Sequence, residues 1–148
     1  MKNVLFYSLL LYVSTMSACK TTKQKTAGPE STALTGTYWR LTEINGKPIG
    51  PTPADKREIH IKLNKEASTM EGFAGCNGIG GNFEVKEGSR ISFTKVIGTM
   101  MACPDLDTEN SLLEILRSVD NYNLVDKQLV LNRARMAPLA RFEAVDFK

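Results

Sequence analysis

Between Thr37 and Val145 the chain consists mostly of short runs in which apolar and polar residues alternate, and that period of two restricts them to half-buried strands. "TYWRLTEI" sets Trp39 and Leu41 on one side. "EIHIKLN" sets Ile59, Ile61 and Leu63 opposite His60 and Lys62, which predicts a surface-exposed His60. In "RISFTKV", Ile91 and Phe93 keep the period and Lys95 swaps outward ahead of Val96. "NFEVKEGSRISF" reads as two strands turned at Glu87-Gly88, and "NYNLV", "KQLVLN" and "LARFEAV" read as three more. Val125-Asp126-Lys127 joins the first two of these as a hairpin.

One segment breaks the rhythm. In "PDLDTENSLLEILRSV", Pro104, Asp105, Asp107 and Glu109 come first, as suits the positive end of a helix dipole. Leu112, Leu113, Leu116 and Val119 then recur at helical spacing. At 148 residues the chain has room for one core. The expected class is α+β: a mostly antiparallel sheet with one main amphipathic helix packed on it.

"GFAGCNGIGG", Gly72 to Gly81, is the difficult stretch. A phosphate-binding loop needs strand, glycine turn and helix, but a strand-like run follows here and no Gly-Lys-Ser or Gly-Lys-Thr is present. The structural expectation is a sharp corner between strands, with Gly75, Gly78, Gly80 and Gly81 taking left-handed conformations or allowing close backbone approach. Asn77 tolerates such conformations and bonds nearby backbone.

The cysteines are Cys19, Cys76 and Cys103. In an oxidising compartment Cys76 and Cys103 make a candidate disulfide. Two cysteines without a C-x-x-C and a lone His60 are too few ligands for a closed zinc site. A soft-metal alternative uses Cys103 with Met100 and Met101, since thiolate and thioether suit Cu(I); methionine as flexible filler is the plainer explanation. A thiol-redox role for Cys103 ahead of a helix lacks the C-x-x-C and the thioredoxin-like pattern. The acids Asp105, Asp107 and Glu109 do not have the EF-hand spacing. No cofactor is expected.

The first eighteen residues stand apart from the core. Met1-Lys2-Asn3 and the apolar "VLFYSLLLYV" form a secretory signal too short to span a bilayer. Ser17 and Ala18, both small, directly precede Cys19, the pattern of a bacterial lipoprotein signal. This assigns residues 1–18 to the signal, Cys19 to lipidation, 19–35 to a polar tether and 36–148 to the domain. Net charge is +3 with both signs interspersed, so no basic face suggests nucleic acid.

"GFAGCNGIGGNF", "GTMMACPDLDTENSLLEIL", "NYNLVDKQLVL" and the closing "LARFEAV" resemble the META domain family, the domain of the heat-inducible HslJ-type envelope proteins. The resemblance runs from about Gly36 to Val145, opening with "GTYWRLTEINGKPI". It implies a small α+β domain with a curved, barrel-like antiparallel sheet, an envelope setting, and links to heat stress and novobiocin resistance. Met100 stands where the family usually has Arg, and the family has no established catalytic set to carry over. The functional expectation is a non-enzymatic lipoprotein that binds an envelope or protein partner. The absence of an acid directly after Cys19 places it, by resemblance to lipoprotein sorting rules, at the outer membrane facing the periplasm.

Overall fold

A computed structural model describes residues 32–135 and 137–146. The expected signal, Cys19 and the tether up to residue 31 lie outside the described residues. Strands β1 (Tyr38–Ile44), β2 (Lys47–Pro48), β3 (His60–Asn64), β4 (Thr69–Phe73), β5 (Gly78–Lys86) and β6 (Arg90–Gly98) come first. Helix α1 (Asp107–Ser118) follows, then β7 (Asn121–Val125), β8 (Gln128–Asn132) and β9 (Ala140–Val145). Neighbours pair antiparallel in the order β1-β3-β4-β5-β6-β7-β8-β9, and β9 pairs back onto β1, so the sheet curves into a ring with β2 appended to β1. This is the expected α+β class, with a curved antiparallel sheet and one helix.

The alternation explains the inside of the ring. Trp39, Leu41, Ile61, Leu63, Ile91, Phe93, Leu129, Leu131 and Phe142 are buried, while the intervening Lys62 and Thr94 are exposed. Lys95 breaks the period with a positive φ of 52°, and the β5–β6 register shifts there between Gly80 and Asn82. This bulge sends Lys95 outward and returns Val96 to the core. The hairpin turns also fall as the sequence indicates: Gly88 and Ser89 have φ of 71° and 59°, and Asp126 has 53°.

The ring is thinnest between β6 and β7, where the one registered pair is Arg90 with Asn121. α1 lies against β6 at this seam, and Arg117 Nη2 donates to the Val96 carbonyl at 3.1 Å. Leu112, Ile115, Leu116 and Val119 are buried beneath it, with Leu113 half-buried at their edge. Ile115 joins the expected stripe of Leu112, Leu113, Leu116 and Val119.

Three sequence expectations need correction. His60 is buried although it faces away from Ile61 and Leu63, because the ring of Tyr38 stacks on it with centroids 4.2 Å apart. Alternation identifies the sheet face a residue occupies, and a neighbour on that face then covers it. The domain also begins before Gly36: Trp39 Nε1 donates to the Leu34 carbonyl at 2.9 Å, and Leu34 packs on the core.

The third correction concerns the glycine stretch. Gly78, Gly80 and Gly81 are part of strand β5, and β4, unforeseen in the sequence, takes in Gly72. Only Gly75 of the stretch has a left-handed φ, 118°, so the corner contracts to residues 74–77, with Ala74 N donating to the Asn77 carbonyl at 2.9 Å. Close approach does apply at the two inward glycines. A Cβ on Gly72 would collide with the His60 carbonyl oxygen, and one on Gly81 would stand 3.0 Å from that of Thr94 at the bulge.

Candidate functional site

The chemistry-bearing residues of the sequence converge where the corner before β5 meets the segment between β6 and α1. Cys76 and Cys103 stand at bonding distance with Cα atoms 6.2 Å apart, within the span a disulfide requires. Asn77 is buried beside them and binds groups far along the chain. Its backbone N–H donates to Glu109 Oε2 at 2.7 Å and its Nδ2 to Glu109 Oε1 at 2.8 Å. Its Oδ1 accepts from Thr99 Oγ1 at 2.8 Å and from Met101 N–H at 2.7 Å, and Nδ2 also reaches the Met101 carbonyl at 3.4 Å.

Asn77 therefore fixes the 99–101 segment and the first turn of α1 to the ring. Local backbone bonding is met at its carbonyl, which accepts from Ala74 N–H, while the partners of its side chain and its own N–H lie 22 to 32 residues away. From the sequence, Glu109 suits the positive end of the helix dipole. It does lie in the first turn, where the N-terminal field favours a carboxylate, and it is buried with both oxygens accepting from Asn77. A signal for this was present: Glu109 shares the helix face of Leu112 and Leu116, and an acid in line with an apolar stripe needs a buried partner.

Met100 and Met101 point the other way. They are 99% and 63% exposed, although the backbone of Met101 is fixed on Asn77. Asp105 accepts from the backbone N–H of Asp107 at 2.9 Å, a local turn into the helix. Among the described residues no group of three or more His, Cys, Asp or Glu stands where it would hold a metal ion, and no helix is long and apolar enough to cross a membrane.

His60 lies elsewhere, on the outer face. Its Nδ1 lies 2.9 Å from the Glu58 carbonyl, which can only accept, so the proton sits on Nδ1. Burial lowers its pKa, with Arg57 adding to that, against the raising influence of the Glu58 bond and of Glu58 and Glu71. A histidine depressed in the fold takes up its proton at higher pH once unfolded. The stability contributed by neutral His60 is thus complete above its unfolded value near 6.5 and is lost as pH falls through the lower folded value. Urea midpoints between about pH 7.5 and 5 are expected to fall less steeply for His60→Phe than for the parent; parallel profiles would refute a titrating role.

A family model for the META domain matches residues 32–146. The chain belongs to the META domain family. Both Cys76-Asn77 and Glu109 lie within the matched span of this META domain. Two solved NMR structures resemble it. One, from Burkholderia xenovorans, is 25% identical with a TM-score of 0.59, covering 76% of this chain and 83% of that one. The other is 21% identical with a TM-score of 0.56, covering 72% and 87% respectively, and shows the fold alone. No curated protein matches this META domain significantly.

Proposed function

We propose that this META domain is a non-enzymatic binding module of the cell envelope, lipid-anchored at Cys19, held at the outer membrane facing the periplasm, and supporting envelope integrity under stress. The observation that carries this reading is how the polar groups of the site are used. Both Glu109 oxygens accept from Asn77, and Asn77 Oδ1 accepts from Thr99 and Met101. These side chains hold one another, and what they hold toward solvent is the apolar pair Met100 and Met101. Such an arrangement serves display rather than reaction.

The second reading is a soft-metal or thiol-redox protein using Cys103 with Met100 and Met101. Two exposed thioethers a few residues before Cys103 favour it, but it requires a free Cys103 thiolate, and Cys76 stands at bonding distance from that sulfur. Intact mass and thiol labelling of envelope-purified protein separate the two. The binding-module reading expects a lipid adduct on Cys19 and labelling only after reduction. Readily labelled thiols, with copper binding abolished by combined Met100→Leu and Met101→Leu, would establish the second reading, since this volume-conserving swap leaves the fold intact.

A further inference from the structure

We propose that the outer surface of β4, β5 and β6 beside Met100 and Met101 docks an acidic, aromatic-bearing peptide segment of a partner protein. This rests on the binding-module reading and gives it a place and a chemistry. Among the described residues, three of the five large apolar side chains left exposed gather here: Ile97 at 68%, Met100 at 99% and Met101 at 63%. Thr99 N–H donates to the Gly78 carbonyl at 3.0 Å and Met101 N–H bonds Asn77, so the 99–101 segment runs alongside the start of β5.

Strand register supplies the floor. Phe73 lies opposite Gly78, Glu71 opposite Gly80, and Gly80 opposite Ile97. Met70, Ile79 and Val96 are buried, so Phe73, Gly78, Gly80 and Ile97 share the outer face, with bare backbone between the two larger residues.

Space and backbone angle do not dictate glycine at either position. Neither Gly78 nor Gly80 has a left-handed φ, and a Cβ would come no nearer than 3.9 Å to the Gly72 carbonyl or 3.7 Å to that of Met70. At the inward Gly72, by contrast, a Cβ would collide with backbone, and at Gly81 it would be tightly crowded. Glycine weakens a strand interior and marks a bulge, a bend at a barrel corner, or a place where another chain or a ligand comes close; Gly78 opens β5 and Gly80 borders its register shift, and both leave bare backbone open on the outer face. At Gly78 and Gly80 no part of the described chain makes that approach.

Charge selects the occupant. Arg57 holds its guanidinium 5.0 Å from the centroid of Phe73 and makes no ion pair among the described residues. Lys95 is exposed at the bulge, two residues before Ile97. The acid in register with the floor, Glu71, lies directly opposite Lys62 on β3. A segment carrying carboxylates meets Arg57 and Lys95 while its ring lies against the glycine floor and Ile97. Because Arg57 covers a face of Phe73, the stacking platform that a sugar ring would use is already occupied.

The test uses the full chain in detergent and a fluorescent capped peptide, Glu-Asp-Phe-Asp-Glu, read by anisotropy against Lys-Lys-Phe-Lys-Lys and Glu-Asp-Ala-Asp-Glu. Preference for the acidic phenylalanine peptide is expected. Gly80→Val, with a melting temperature no lower than the parent's, should weaken binding by about tenfold, and Arg57→Gln should remove the acidic-over-basic preference. Unaltered binding by folded Gly80→Val, or no preference among the peptides, overturns the site. Displacement of the peptide by phosphatidylethanolamine vesicles would reassign the patch to a lipid surface, and self-association abolished by Gly80→Val would reassign it to a second copy. A photo-crosslinking residue in place of Ile97 or of Val125 on the β7–β8 turn separates this site from the broader reading. Envelope adducts from position 125 alone overturn the site and leave the binding module standing; adducts from neither position overturn both.

Discussion

Glu109→Ala is expected to cost about 3 to 4 kcal/mol of unfolding free energy, since it leaves the Asn77 backbone N–H and Nδ2 donors without their main acceptor inside the protein. Each orphaned donor carries about 1 to 3 kcal/mol of desolvation, and the helix also loses a favourable first-turn carboxylate. Trp39, the single tryptophan, is fully buried and reports unfolding by fluorescence in urea. Glu109→Gln offers one acceptor oxygen in place of two and should recover only part of the loss. A cost under about 1 kcal/mol for Glu109→Ala would mean that water satisfies Asn77 and that Glu109 is not the pin.

The second large effect concerns the cysteine pair. Cys76 and Cys103 are 27 residues apart in sequence, and opening a loop of that length costs about 3 to 4 kcal/mol on the chain-entropy model. Cys103→Ser is therefore expected to lower stability by that amount under oxidising conditions and by little in the presence of reductant, where the parent has already lost the bridge. Equal loss under both conditions would show that packing around Cys103, and not a bond, is responsible. Both substitutions loosen the segment between β6 and α1, so the combined variant should lose less than the sum of the two. Ordinary additivity would show that the bridge and the Asn77 network hold separate parts of the molecule.

The helix and the strands other than β2 and β4 are legible because each obeys one period. The alternation of residues 121 to 125 coincides with β7, and the Lys95 reversal is visible as a break in the count. The glycine stretch was illegible for a physical reason. A glycine that stands where a neighbouring backbone crosses, as Gly72 and Gly81 do, has the same sequence appearance as a glycine in a turn, as Gly75 is. Only the register distinguishes them. His60 failed similarly, because the Tyr38 ring that covers it comes from a strand 22 residues earlier. The site was half legible: its cysteines and Asn77 were singled out, while the Glu109 partnership depended on a contact between α1 and the corner before β5 that spacing alone does not specify.

The pairing of β9 with β1 has a consequence for how the chain is made. Tyr38 finds Val145 and Ile44 finds Ala140 only after every other strand of the domain has been made, and Phe142 enters the core at the same moment. A chain emerging from its N-terminus holds its first long strand half-partnered until its last strand appears. Contacts this distant in sequence form late and slow the final step. The ring thus cannot close until β9 is available to β1.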